Sequence, residues 1–432
     1  MQETVSQAKL IRGTITPPGD KSISHRAAMF NAIASSSAIV ENFLPSADCM
    51  ATLRCLRSLG VAWHLRDDGA LEIEGRGLHS LREPPSVLDC RNSGTSIRLF
   101  VGLLAPQPFL SVLTGDASLR SRPMSRVIEP LQRMGAAIFG REGDSKAPIV
   151  VRGGPLNGGR YEIPVASAQV KSALLLAGLY ADGETAVQEP FPTRDHTERM
   201  LRAMGANVRF GEGPVVSISQ QRGELSPLPL RVPGDISSVA PWLVLAAVHP
   251  DAEIRIEGVC VNPSRTGIID ALTMMGAEIS LEEERTWGAE PVADIVVRSS
   301  RLHGTVIGGA MVPRLIDEIP LLALAGCFAE GETEIRDASE LRVKESDRVR
   351  TTAAGLRPLG ARIEEKPDGM RVHGAQHLAG ATVSSHGDHR LAVMLGVAGV
   401  LAKGETVVRN SSVVGVSYPR FWQDLAQVCG RA

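Results

Sequence analysis

The sequence predicts a two-domain α/β protein built from six copies of one βαβαββ unit. Three observations carry this. The 432 residues are too many for one compact core. A helix-like stretch ending in an apolar residue and glycine recurs as "LRSLGV", "LQRMGA", "LRAMGA", "LTMMGA", "LRPLGA" and the degraded "LAQVCG". The stop glycines, Gly60, Gly135, Gly205, Gly276, Gly360 and Gly430, lie 75, 70, 71, 84 and 70 residues apart. One glycine after a helix is ordinary, because it tolerates the left-handed conformation there. Six at a near-constant period mark a repeat.

Each repeat reads in the same order. An alanine-rich helix comes first: "KSISHRAAMFNAIA", "NSGTSIRLFVGLLA", "SAQVKSALLLAGLY", "DISSVAPWLVLAAV", "DEIPLLALAGCFA" and "GDHRLAVMLGVAGVLA". A short β-branched strand follows, as in "SAIVENF", "ETAVQEPF", "AEIRIEGV", "GETEIRDA" and "GETVVRNS". The second helix with its glycine stop comes next, then one or two short strands.

The unusual polar residues concentrate at the start of each first helix. They are Lys21 and Ser22; Asn92 to Thr95; Ser167, Ala168 and Gln169; Asp235; Asp317 and Glu318; and Asp388, His389 and Arg390. Ser22 and Ser24 are expected to cap the first helix. Lys21, His25 and Arg26 then crowd its positive end, where cations are disfavoured by a few tenths to about 1 kcal/mol. A bound anion reverses that penalty, and three such ends around a pseudo-threefold axis form an anion site. Simple capping explains Asp235. It does not explain Lys21, Arg26 or Arg390.

Other clusters are individually weak. "GDASLRSRPMSRV" carries Arg120, Arg122 and Arg126 in what reads as a polar loop. "TRDHTERML" sets Arg194 beside Asp195 and His196. "LRVKESDRVR" reads as a charged helix with Lys344, Glu345 and Arg348 on one face. Asp317 heads a stretch otherwise made to be buried, so it is either a cap or a general base. Glu345 is a second candidate proton carrier.

Composition narrows the function classes. A formal net charge of −2 and 4% aromatics argue against nucleic-acid binding. No apolar run is long enough to span a membrane. The first twenty residues lack a signal-peptide pattern. Cys49, Cys55, Cys90, Cys260, Cys327 and Cys429 are scattered without a CxxC, the pattern of reduced thiols in a cytoplasmic protein. No phosphate-binding loop, dinucleotide fingerprint, nucleophile elbow or HExxH motif is present, so no cofactor and no metal are expected.

The motifs "PGDKSISHRA", "NSGTSIR", "SLRSRPM", "SAQVKSALLLAGL", "TRDHTERM", "DEIP", "LRVKESDR" and "GDHRLAVM" follow in order along the chain. In these it resembles the 5-enolpyruvylshikimate-3-phosphate synthases. The resemblance implies an inside-out α/β barrel in two domains, roughly 20–232 and 1–19 plus 233–432, with the active site in the cleft between them. It implies transfer of the enolpyruvyl group of phosphoenolpyruvate to shikimate-3-phosphate by a monomeric cytoplasmic enzyme.

By motif, Lys21, Ser22, Arg26, Ser167, Ala168, Gln169, Arg194, Asp317 and Lys344 should bind shikimate-3-phosphate. Lys21, Gly94, Arg122, Gln169, Arg348 and Arg390 should bind phosphoenolpyruvate. Asp317, Glu345 and Lys21 should carry the proton transfers. Ala168 in place of a serine, Val416 before "SYP" and Leu99 after Arg98 are similar to the family's second class, known for weaker glyphosate inhibition. Gly94 is, by contrast, the small residue that leaves room for that inhibitor. The nearest alternative, UDP-N-acetylglucosamine enolpyruvyl transferase, would need a "KNAALP"-like start and a loop cysteine. A non-enzymatic repeat scaffold would explain the basic clusters but would need neither Asp317 nor Glu345.

Overall fold

The computed structural model describes residues 1–375 and 377–430. Its internal contacts divide the chain into two units. One comprises 1–18, 233–285 and 291–432; the other comprises 19–232 with the short segment 286–290.

Each unit holds three repeats, and five repeats form a four-stranded sheet with a common pattern. The strand before the first helix pairs in parallel with the strand after it, as Leu88–Asp89 does with Leu110–Thr114. That second strand pairs antiparallel with the last, Lys146–Arg152, which pairs antiparallel with Ala137–Gly140. A parallel pair needs a crossover, and the first helix of each repeat supplies it. Two opening strands are exchanged in sequence. Ile11–Ile15 precedes the first helix of the chain but joins Ala252–Cys260, whereas Leu230–Arg231 joins Ala38–Glu41. In the sixth repeat Gln2–Ser6 lies antiparallel to Glu405–Arg409, giving a three-stranded sheet.

The repeat stops have a conformational cause. Gly60, Gly135, Gly205, Gly276, Gly360 and Gly430 adopt φ of 89°, 101°, 92°, 96°, 100° and 65°, a region costly for any side chain with a Cβ.

The first helices are buried nearly all round. In one unit Ile236–Val248, Ile319–Phe328 and His389–Leu401 pack against one another in a single apolar cluster. In the other unit Gly94–Leu104 crosses Ala168–Gly178 so closely that a Cβ on Gly102 would lie 2.2 Å from the Ala173 carbonyl oxygen. Helices inside and sheets outside explain why the first helices carry alanine, leucine and glycine rather than a one-sided apolar stripe. Among the described residues no helix is long and apolar enough to cross a membrane. Five of the six cysteines are buried and all six are free thiols.

Candidate active site

The starts of the first helices differ in a way that matters. Asp20, not Ser22 or Ser24, caps Lys21–Ala32, its carboxylate accepting from the Ile23 amide at 2.8 Å. A carboxylate is the stronger choice at a positive helix end that also carries Lys21. Ser93, Ser167, Asp235 and Asp388 cap four more of these helices. The remaining one, Ile319–Phe328, has no side-chain cap, and Pro320 in its first turn removes one of the amides a cap would serve. Asp317 is therefore not a cap. Glu318 bonds to the Ser237 hydroxyl, and Asp317 is engaged with cations.

"LRVKESDRVR" is not one helix. Ser339–Val343 is a 3₁₀ turn, Lys344 is extended, and Asp347 caps a new helix, Arg348–Leu356. An N-cap residue holds non-helical dihedrals, so no α-helix runs through Asp347. Glu345 and Arg348 still pair directly at i,i+3, and Lys344 joins them through Asp317, which both cations share. "ASLRS" is likewise a short helix, Ala117–Ser121, rather than loop; Arg122 caps it and Arg126 lies in the helix that follows.

In the unit formed by residues 1–18, 233–285 and 291–432, Arg348 is the centre. It is 1% exposed and meets three carboxylates. Its Nε lies 2.8 Å from Asp388, Nη1 lies 3.0 Å from Asp317, and Nη2 lies 2.7 Å from Glu345. Lys344 Nζ is 3.5 Å from the same Asp317 oxygen. Burial pulls the Arg348 guanidinium down, but Asp388, Glu345 and Asp317 outweigh it and hold it above its ordinary value. Burial alone would raise the Asp388 carboxyl; Arg348 reverses this and holds it low. The Arg390 amide donates to Asp388, while its guanidinium makes no hydrogen bond or ion pair among the described residues.

The other unit holds two clusters. In the first, Arg98 Nη1 donates to Gln169 Oε1 at 2.7 Å and its Nη2 to the Pro123 carbonyl at 3.0 Å. Gln169 Nε2 donates in turn to Thr95. Arg122 donates to Asn92 and Ser118. Gly94 lies against both arginines: a Cβ there would sit 2.8 Å from Arg98 Nη1 and 3.3 Å from Arg122 Nη1. One buried arginine thus ties Gly94, Gln169 and the loop carrying Arg122 together.

In the second cluster, Lys21 Nζ is 3.3 Å from Asp48. Arg26 donates to Thr197 Oγ1, Ser172 Oγ and the Ser22 carbonyl. Burial lowers the Arg26 pKa and Arg194 adds to this, against Glu198, Asp20 and Glu290, which raise it from beyond contact distance. Ser167 caps its helix and the Ala168 carbonyl accepts from Ser172. Behind them Lys171 lies buried between Glu189 and Glu198, at 2.7 and 2.8 Å, anchoring the helix that presents Gln169.

Sequence reading missed Arg98, Ser172, Thr197 and Asp388 as parts of these clusters. Asp388 was visible as a cap, and Arg98 stood inside a quoted motif. Ser172 and Thr197 also stood inside quoted motifs, "SAQVKSALLLAGL" and "TRDHTERM", but nothing in those motifs pointed to their hydroxyls.

The family profile of EPSP synthase (3-phosphoshikimate 1-carboxyvinyltransferase) matches residues 5–425. The chain belongs to the EPSP synthase family. Its similarity to the 3-phosphoshikimate 1-carboxyvinyltransferase of Herpetosiphon aurantiacus is 54% identity over 429 residues, 99% of each chain. To that of Roseiflexus castenholzii it is 54% over 430 residues, 99% of this chain and 100% of the other. An EPSP synthase structure from Acinetobacter baumannii superposes with a TM-score of 0.87 at 44% identity, covering 99% of this chain and 98% of that one. These matches decide between the two enolpyruvyl transferase families in favour of EPSP synthase, with its two-domain α/β architecture.

Proposed function

We infer that the chain is a 3-phosphoshikimate 1-carboxyvinyltransferase. It transfers the enolpyruvyl group of phosphoenolpyruvate to the 5-hydroxyl of shikimate-3-phosphate and releases inorganic phosphate. This step belongs to the shikimate pathway and aromatic amino-acid biosynthesis. Membership of the EPSP synthase family over residues 5–425 carries the assignment.

The proposed chemistry has two stages. The 5-hydroxyl oxygen attacks C2 of phosphoenolpyruvate while C3 gains a proton, giving a tetrahedral ketal phosphate. The C2–O bond to phosphate then breaks, C3 returns its proton, and the enol ether forms. Asp317 accepts the hydroxyl proton and passes it to the departing phosphate, while Glu345, protonated at the start, gives its proton to C3 and takes it back in the second stage. The observation favouring this pair is their shared partner: one guanidinium, Arg348, bonds both carboxylates. A group that holds acid and base in a fixed geometry prepays the entropy of orienting them. Lys21 assists these transfers and contacts both substrates.

Shikimate-3-phosphate is taken by Lys21, Ser22, Arg26, Ser167, Ala168, Gln169, Arg194, Asp317 and Lys344. Phosphoenolpyruvate is taken by Lys21, Gly94, Arg122, Gln169, Arg348 and Arg390. Guanidinium forks suit phosphate and carboxylate oxygens, which accounts for the weight of arginine in both sets. We place the two substrates at these residues of the domains 20–232 and 1–19 plus 233–432, and the enzyme as a monomer in the cytoplasm.

Phosphate release from phosphoenolpyruvate tests the assignment. It is expected with shikimate-3-phosphate and not with UDP-N-acetylglucosamine. Release with the nucleotide sugar alone, or with neither acceptor, overturns it.

A further inference from the structure

Arg26 is 2% exposed, yet no carboxylate lies at ion-pair distance from it among the described residues. Its partners are neutral oxygens: Thr197 Oγ1 at 2.7 Å from Nε, Ser172 Oγ at 2.7 Å from Nη2, and the Ser22 carbonyl at 3.0 Å from Nη1. A buried charge normally finds an opposite charge, because desolvation costs it several kcal/mol. Here the cost is visible. Burial, as the largest cause, lowers Arg26 from its ordinary value to about 10.

The two hydroxyls are fully buried and mutually saturated. Ser172 Oγ donates to the Ala168 carbonyl at 2.6 Å. It lies 2.7 Å from Thr197 Oγ1, so the Thr197 proton points to Ser172 and leaves both oxygens accepting from Arg26. No rotation of either hydroxyl improves on this arrangement, so the guanidinium plane is fixed at two corners. A guanidinium has five N–H groups. Three are spent here, leaving one on each terminal nitrogen for an incoming anion.

The threonine position is a device of the repeat. Thr197 stands eight residues before the stop Gly205, and Thr52 stands eight before Gly60. Thr52 bridges two first helices in the same manner, from His25 at 2.8 Å to Ser96 at 2.7 Å. Burial keeps that histidine neutral. The same bridge thus serves a neutral imidazole at one junction and a cation at the other.

We propose that Ser172 and Thr197 are positioning residues for shikimate-3-phosphate: they form a neutral cradle that fixes the Arg26 guanidinium and leaves it without a contacting carboxylate, open to an anionic group of the substrate. This rests on the reading of Arg26 as a shikimate-3-phosphate ligand. A carboxylate in place of either hydroxyl would fix the plane equally well but would satisfy the charge internally.

The test is the calorimetric Kd for shikimate-3-phosphate in the absence of phosphoenolpyruvate, measured on the full-length protein and its variants. Thr197→Val and Ser172→Ala should each weaken binding by roughly ten- to hundredfold, the usual scale for losing a hydrogen bond to a charged group. Thr197→Ser, which keeps the hydroxyl, should bind close to wild type. The KM for phosphoenolpyruvate should move far less than the Kd. Ser172→Ala adds no bulk and carries the test alone if Thr197→Val does not fold. Arg26→Gln, measured in parallel, separates the two levels of the claim. An unchanged Kd in Arg26→Gln overturns the ligand reading of Arg26. A weakened Arg26→Gln beside unchanged Thr197→Val and Ser172→Ala overturns the cradle. Equal loss in Thr197→Ser and Thr197→Val also overturns it, since packing rather than the hydroxyl would then be responsible.

Discussion

Arg26 in one unit and Arg348 in the other are both buried arginines beside the start of a first helix, and their surroundings are opposite. Arg348 is clasped by Asp388, Glu345 and Asp317. Arg26 meets only hydroxyl and carbonyl oxygens. Accordingly the guanidinium is held above its ordinary value at Arg348 and lowered to about 10 at Arg26. The difference separates two uses of a buried cation. Arg348 meets carboxylates of the fold before any substrate arrives and organises them for moving protons, beside its proposed contact with phosphoenolpyruvate. Arg26 has no carboxylate in contact and is offset only from a distance by Glu198, Asp20 and Glu290, so part of its desolvation cost stands until an anion arrives.

The largest expected effect lies on the Arg348 side. Asp317→Asn should lower kcat by about 10² to 10⁴, the range for losing a general base, and single-turnover phosphate release reads it directly. A fall of only a few-fold would make Asp317 a binding group and leave the comparison without its chemical half.

Next come the arginines themselves. Arg348→Gln strands three carboxylates and should cost about 3–5 kcal/mol of stability, as broken buried pairs do. Arg26→Gln removes a charge that has no carboxylate partner, so its unliganded urea midpoint should move far less. Similar shifts in both would erase the distinction.

Gly94→Ala should have a smaller and more local effect. The added Cβ falls 2.8 Å from Arg98 Nη1 and 3.3 Å from Arg122 Nη1, so both must shift, and Gln169 with them. Overpacking of this kind costs about 1–3 kcal/mol. The KM for phosphoenolpyruvate and the glyphosate inhibition constant should rise, while the Kd for shikimate-3-phosphate changes less.

The smallest effect is a pH dependence. Asp388 has its folded pKa held below the unfolded carboxylate value of about 3.9. Its contribution to stability is therefore present above that value and is lost as the pH falls through it, because the unfolded chain takes up the proton first. Urea midpoints between pH 5 and about 3 should fall more steeply in wild type than in Arg348→Gln, where the cause of the shift is gone.

Much of this was legible in the sequence because it is local. The glycine stops announce left-handed helix ends, and the polar residues before each first helix announce its start. Where two local signals competed, the reading failed for a physical reason. Asp20 displaced Ser22 and Ser24 as a cap because a carboxylate also answers the helix dipole. Asp347 broke a charged run that looked continuous. The clusters were hidden for a different reason. Arg348 gathers carboxylates from residues 317, 345 and 388, and Arg26 gathers hydroxyls from 172 and 197. Nothing in a hydroxyl on a helix says which arginine lies across from it; only the packing of the repeats does.

The fold leaves Arg26 without a contacting carboxylate, a place the anion of the substrate fills. The most direct measurement is the rise in urea unfolding midpoint on adding shikimate-3-phosphate, for wild type and Arg26→Gln. At a hundredfold excess over Kd, a ligand specific to the native state adds about 2.7 kcal/mol. That gain is expected in wild type, and little of it in Arg26→Gln at the same concentration, from a nearly unchanged unliganded midpoint. An undiminished gain in Arg26→Gln, or a variant that unfolds far earlier without ligand, would contradict it.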